Sequence, residues 1–195
     1  MSERPSPRPL GELLVDLDPT YVACGPETVV ERVEVDSRRV GPGVAFLATR
    51  GVARDAHDFV AAAASAGARV LILERGRLDP EHPALRGRGV AWLADTGAAY
   101  PEIAASAHGR PGAHMRLAGV TGTNGKTTTT FLVDAMLRAA GRTFTRVGTT
   151  GNWVADRDEP AGFTTPFPLE LQALLARARA RGATCGVMEV SSHAL

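Results

Sequence analysis

Apolar positions along this chain recur with two periods, and their order predicts strands and helices in alternation. After a Pro-rich start, Val29 to Val35 and Val44 to Ala48 read as strands separated by a Gly41-Pro42-Gly43 turn. His57 to Ala66 reads as a helix, Gly67 stands where a left-handed cap belongs, and Arg69 to Glu74 is an apolar run of strand length. A strand at Val90 to Ala94 and a helix through Ile103-Ala104-Ala105 complete a first α/β domain. Pro101 is expected to start or kink that helix, because it lacks an N–H and its ring crowds the preceding turn. His108-Gly109-Arg110-Pro111-Gly112 reads as a linker, which divides the chain into residues 1–110 and 111–195.

Beyond the linker the pattern restarts. Leu117 to Thr121 is a strand, a Gly-rich loop follows, and Lys126 to Ala140 is a helix that Gly141 terminates. Phe144 to Val147 is a second strand, Leu169 to Arg181 a helix ended by Gly182, and Thr184 to Val190 a third strand. Three strands and two helices make half of a doubly wound sheet, and the last strand should be central in it. With nothing after it, Thr184 to Val190 becomes a candidate open edge with uncovered apolar faces.

Composition narrows the partners. The 195 residues are 44% hydrophobic, enough for a buried core, and the formal net charge is +1 with both signs mixed along the chain. This balance supplies no electrostatic reason for nucleic acid or an anionic membrane as partner. No run of about eighteen apolar residues is present to span a bilayer, and Met1-Ser2-Glu3-Arg4-Pro5 lacks an apolar signal core, so a cytoplasmic location is expected. Cys24 and Cys185 have no metal-ligand spacing around them and read as reduced, packed thiols.

The strongest chemical signal is Gly122-Thr123-Asn124-Gly125-Lys126-Thr127-Thr128, set between an apolar strand and a helix. Glycines let the backbone N–H groups converge on phosphate oxygens, and the positive end of the helix adds to the attraction. Lys126 would reach the β- and γ-phosphates and the Thr127 hydroxyl would ligate Mg²⁺. The pattern departs from the general one, which places Gly where this chain has Val120; the bland alternative is a tight turn with a surface lysine.

In Val187-Met188-Glu189-Val190-Ser191-Ser192-His193 an apolar strand delivers an acid at its C-terminal end, the edge where nucleotides bind in such sheets. Glu189 is therefore the metal candidate, against a strand-end acid facing water. Thr164-Thr165-Pro166 precedes a helix, where threonine commonly caps backbone donors. Asp36-Ser37-Arg38, taken alone, is a polar turn. Arg177, Arg179 and Arg181 read as the solvated face and end of a helix, and His193 as a positioned or packed side chain.

Together these motifs resemble the Mur ligases. Thr121-Gly122-Thr123-Asn124-Gly125-Lys126-Thr127-Thr128 is similar to that family's phosphate loop, used with changes by folylpolyglutamate and cyanophycin synthetases. Met-Glu-Val-Ser-Ser-His-Ala-Leu, from Met188, resembles a signature of the UDP-N-acetylmuramoyl-tripeptide synthetase branch. The resemblance implies that Ser191 contacts the nucleotide-sugar, that Thr164 and Thr165 contact the substrate peptide, and that Ser37 contacts the uridine diphosphate with Arg38 supporting its loop. The segment Gly51 to His57 resembles the family's Gly-x-x-x-Asp-Gly-His, with Ala56 in place of the second glycine.

The implied fold is α/β: an N-terminal mixed α/β nucleotide-sugar-binding domain, then the first half of a P-loop, doubly wound central ATPase domain. The implied reaction uses ATP and Mg²⁺ to phosphorylate the D-glutamyl carboxylate of UDP-N-acetylmuramoyl-L-alanyl-D-glutamate, after which a diamino acid's amine displaces phosphate. Lys126 and Glu189 are the catalytic candidates, and the protein is expected to be a monomer. Two other readings stay open: a nucleotide-switch protein, for which a guanine-reading Asn-Lys-x-Asp is missing from the sequence, and a ligase remnant that binds without catalysis. The family's carbamylated lysine and its arginine-bearing C-terminal domain follow the Ser-Ser-His segment, so residues 1–195 alone are expected to be inactive.

Overall fold

The computed structural model describes residues 6–51 and 54–191. The chain divides into two compact α/β units, Met1–Ala107 and His108–Leu195.

The first unit opens with β1 (Arg8–Pro9), α1 (Leu10–Leu13), β2 (Thr20–Val22), β3 (Val29–Val30) and β4 (Arg32–Glu34). It continues with β5 (Val44–Leu47), α2 (Val60–Ser65), β6 (Val70–Glu74), β7 (Gly89–Leu93) and α3 (Thr96–Ala107). The run Val29 to Val35, expected as one strand, is two: β3 pairs antiparallel with β1, and β4 pairs parallel with β5. Glu31 sits between them, and its N–H donates to Gly43 O at 2.8 Å. The main sheet runs β2-β7-β6-β5-β4, parallel except for β2 at one edge.

Its central strands β5 and β6 are buried along their whole length and apolar except for Glu74 at the end of β6, because both faces are covered. Phe46, Leu71, Leu73, Val90 and Trp92 pack with Val60, Ala63 and Ala64 of α2 in one buried cluster, while α3 contacts β4, β6 and α1. Helix α3 starts at Thr96, earlier than Pro101, which lies inside it. The Asp95 side chain accepts from Ala98 N–H at 2.9 Å, so the start signal is an ordinary acidic cap.

The second unit contains β8 (Arg116–Val120), α4 (Lys126–Ala139), β9 (Phe144–Val147), β10 (Asn152–Val154), β11 (Arg157–Glu159), α5 (Pro168–Ala180) and β12 (Cys185–Glu189). Its sheet order is β11-β10-β9-β12-β8. Strand β12 is central as expected, with parallel partners on both sides. The open edge anticipated at Thr184 to Val190 is therefore misplaced: it falls on β8, whose residues are largely exposed. The reason is the crossover, since α5 returns the chain to the gap between β8 and β9, where an apolar strand buries both faces.

The β10–β11 hairpin has no counterpart in the sequence reading. Its turn holds Ala155 at φ 60°, a conformation alanine rarely adopts, in place of the usual Asn or Gly signal. Met115, Val147, Val154, Leu174, Leu175 and Ala178 form the core under α5. Arg177 and Arg181, expected to be solvated, instead pair with Glu159 of the hairpin at 2.7 and 3.7 Å, whereas Arg179 is exposed. Cys24 and Cys185 are both free and half-buried. Among the described residues no helix is long and apolar enough to cross a membrane.

Candidate phosphate and metal site

Strand β8 ends at Val120, and the loop to α4 turns at Gly122 (φ 133°) and Gly125 (φ 81°). A side chain at Gly125 would be strained in this left-handed conformation, so glycine is what allows the helix to begin at Lys126. The first helical hydrogen bond is Thr129 N–H to Gly125 O at 2.9 Å. The amides of Lys126, Thr127 and Thr128 precede it and point out of the helix end, where an anion is favoured. Lys126 Nζ folds back over the loop and donates to Gly122 O at 2.6 Å. Thr123, Asn124 and Thr128 are exposed around it.

Glu189 closes β12 and is buried, which removes the alternative of an acid facing water. In the parallel register Glu189 lies opposite Val120 on one side, and Met188 lies opposite Val147 on the other. The carboxylate is thus delivered between two strand ends, one leading into the Gly-rich loop before α4 and one into the turn at Gly148. Its Oε2 accepts from Thr127 Oγ1 at 3.1 Å and from Thr149 Oγ1 at 3.0 Å, and its Oε1 accepts from Thr149 N–H at 3.1 Å.

The Thr-Thr-Pro segment closes the same site from a third direction. Thr165 Oγ1 donates to Glu189 O and accepts from Ser191 N–H, each at 3.0 Å, with Ser191 Oγ at 3.4 Å. Thr164 Oγ1 lies 3.1 Å from Thr149 Oγ1. Neither threonine caps α5; Phe167 is the residue before that helix, with Pro168 in its first turn. Thr127, Thr164, Thr165, Glu189 and Ser191 therefore form, through Thr149, one hydrogen-bonded constellation beside the Gly-rich loop. Thr149 belongs to it and carries no motif that singles it out in the sequence.

Ser37 lies in the first unit, at the start of a single 3-10 turn. Asp36 accepts from Arg38 N–H at 3.0 Å and pairs with the Arg38 guanidinium at 2.7 Å. The Arg38 side-chain bonds, followed by its backbone N–H, hold the Asp36 carboxyl down to about 2. In the neighbouring segment His57 Nε2 accepts from Glu74 N–H at 3.0 Å, which leaves the ring proton on Nδ1, 2.6 Å from Asp55. Val52 and Ala53 of that segment, and Ser192 and His193 after Ser191, lie outside the described residues.

Two family models match the chain: the Mur ligase middle domain at residues 120–195, and the model described as Mur ligase family, catalytic domain, at residues 29–108. Between them they take in most of the sequence. The chain belongs to the Mur ligase family. A UDP-N-acetylmuramoyl-L-alanyl-D-glutamate–2,6-diaminopimelate ligase of Geobacter metallireducens is 40% identical over 168 residues, which are 85% of this chain and 32% of that protein. A ligase of the same description from Geobacter sulfurreducens is 38% identical over 188 residues, 95% of this chain and 36% of its own length. A solved structure of a ligase so described superposes with a TM-score of 0.71 at 25% identity, over 95% of this chain and 36% of the other. The chain thus spans about a third of the length of the Mur ligases it matches.

Proposed function

We propose that the protein containing this chain is an ATP-dependent amide ligase of peptidoglycan precursor synthesis. It adds the third amino acid to UDP-N-acetylmuramoyl-L-alanyl-D-glutamate through an acyl phosphate. The observation that carries this reading is the meeting of the phosphate-loop hydroxyl of Thr127 with the buried carboxylate of Glu189 at 3.1 Å, with the Thr-Thr-Pro segment on the same carboxylate's strand end. The names of the relatives support 2,6-diaminopimelate as the incoming amino acid.

The donor set suits Mg²⁺: one hydroxyl and one carboxylate, hard oxygens that leave room for substrate phosphates. Thr127 and Glu189 would hold the ion, which when bound neutralises charge on the phosphates. Lys126 exchanges its loop carbonyls for phosphate oxygens as charge develops on the β–γ bridge. The amides at the start of α4 cradle the polyphosphate. Thr164, Thr165 and Ser191 line the side from which the substrate carboxylate approaches in line, a positioning that can be worth about 7–11 kcal/mol of barrier. The first unit, through Ser37, takes the uridine end.

Phosphate release by the full-length protein, given the muramoyl dipeptide and diaminopimelate, lysine or ornithine in turn, tests the reading. Turnover with diaminopimelate, lost in Lys126→Ala, is expected; wild-type turnover by Lys126→Ala at saturating ATP would remove the phosphate-loop assignment.

A further inference from the structure

We infer that Thr149 is a positioning residue that couples the substrate loop to the metal carboxylate, so that occupancy at Thr164 tunes how tightly Glu189 and Thr127 hold a divalent cation. This rests on the reading of those two residues as the Mg²⁺ pair. A hydroxyl has one proton and two lone pairs. The Thr149 hydroxyl, 3.0 Å from Glu189 Oε2, donates its hydrogen bond to the carboxylate, which leaves its lone pairs to accept from the Thr164 hydroxyl at 3.1 Å. The proton chain then has one polarity, from Thr164 through Thr149 to Glu189. The Thr149 amide on Oε1 and the Thr127 hydroxyl on Oε2 fix the plane of the same carboxylate.

The turn that presents Thr149 is braced. Gly148 N–H donates to Asn152 Oδ1 at 3.3 Å, and Gly151 N–H closes the turn on Gly148 O at 3.3 Å. Arg146 Nη1 donates to Gly151 O at 3.2 Å. Arg146 is itself buried, paired with Asp134 of α4 at 3.0 Å and lying 3.9 Å over the Phe131 ring of the same helix. Burial raises the Asp134 carboxyl, but hydrogen bonds from Arg138 and Arg146 outweigh it and hold the group below its usual range, so the brace is an ion pair at neutral pH. The helix that carries Lys126 and Thr127 and the turn that carries Thr149 are tied together by this pair.

A substrate that moves or orders Thr164 therefore acts on the Glu189 carboxylate through the Thr149 hydroxyl, whereas Thr165 reaches only the Glu189 backbone carbonyl. By linkage the effect is reciprocal: whatever factor substrate adds to cation affinity, the cation adds to substrate affinity. Groups that orient metal ligands typically cost about 10–100-fold in metal affinity or activity when removed.

The test uses the full-length protein with ADP and Mn²⁺ as an electron-paramagnetic probe, with and without the muramoyl dipeptide nucleotide. Wild type should bind Mn²⁺ more tightly when the nucleotide-sugar is present. Thr149→Val keeps shape and amide but loses the hydroxyl; it should weaken Mn²⁺ by about 10–100-fold and abolish the dependence on nucleotide-sugar. Thr149→Ser should restore both, which a purely structural role for the methyl would not. If the valine variant does not fold, Thr149→Ala compared with Thr149→Ser carries the same comparison. Mn²⁺ affinity within twofold of wild type in the hydroxyl-less variant, or an unchanged response to nucleotide-sugar, overturns the inference. Loss of turnover in Lys126→Ala alongside either result shows that the failure lies with Thr149 and not with the site itself.

Discussion

Gly148→Ala is the sharpest test of the proposed role of Glu189, because it moves that carboxylate without touching its chemistry. A Cβ built on Gly148 would lie 2.3 Å from Glu189 Oε1, 3.0 Å from its Cδ and 3.2 Å from its Cγ. Ordinary contact begins near 3.4 Å, so the carboxylate must retreat by about 1 Å. Gly148 is not among the residues at positive φ, so alanine's own backbone preferences are met and the clash is the whole perturbation. The retreat draws Oε1 off the Thr149 amide and turns Oε2 away from Thr127 and Thr149. Misplacement of a catalytic group by about 1 Å costs roughly 100-fold in rate, equivalent to about 2.7 kcal/mol of barrier. Crowding in a packed interior adds about 1–3 kcal/mol of lost stability. The assay is phosphate release by the full-length protein across a Mg²⁺ titration, with the melting temperature measured in parallel. Gly41→Ala, where a Cβ meets nothing within 4 Å, is the control. Turnover and Mg²⁺ half-saturation within threefold of wild type in a folded Gly148→Ala protein would refute the role given to Glu189.

Two predictions concern the first unit. Ser37→Ala should raise KM for the nucleotide-sugar by up to about tenfold, the loss of one hydrogen bond of about 0.5–1.5 kcal/mol, and leave KM for ATP unchanged; an effect on ATP alone would place Asp36-Ser37-Arg38 outside the uridine site. Asp36 should titrate at about 2 by NMR, and Arg38→Ala should return it toward 3.8. Because its folded value is depressed, the stability this turn contributes is fully present above about pH 4 and is lost as pH falls through about 2, and a titration of Asp36 unaffected by Arg38→Ala would contradict the pairing.

The sequence by itself determined those parts of the site that are contiguous in the chain. Gly122 to Thr128 needs only a strand before it and a helix after it, so local periodicity and the two glycines place it, and the α/β class follows from the same alternation. Glu189 was legible because an acid that ends an apolar strand has one end of the sheet to occupy. Strand order decided the rest. Glu189 meets Gly148 and Thr149 across forty residues because β9 and β12 are parallel neighbours in a register that sets Met188 beside Val147. Nothing in Gly148-Thr149-Thr150-Gly151 distinguishes it from any polar turn. Thr165 is singled out by its motif, but strand order decided its partner: its hydroxyl bonds the β12 strand end in place of capping α5. Arg177 shows the point in reverse: its helical face reads as solvated until the unforeseen β10–β11 hairpin sets Glu159 against it. Sequence periodicity reports which face of an element is buried, whereas the partner waiting on that face is set by crossovers and register, which no local window of residues contains.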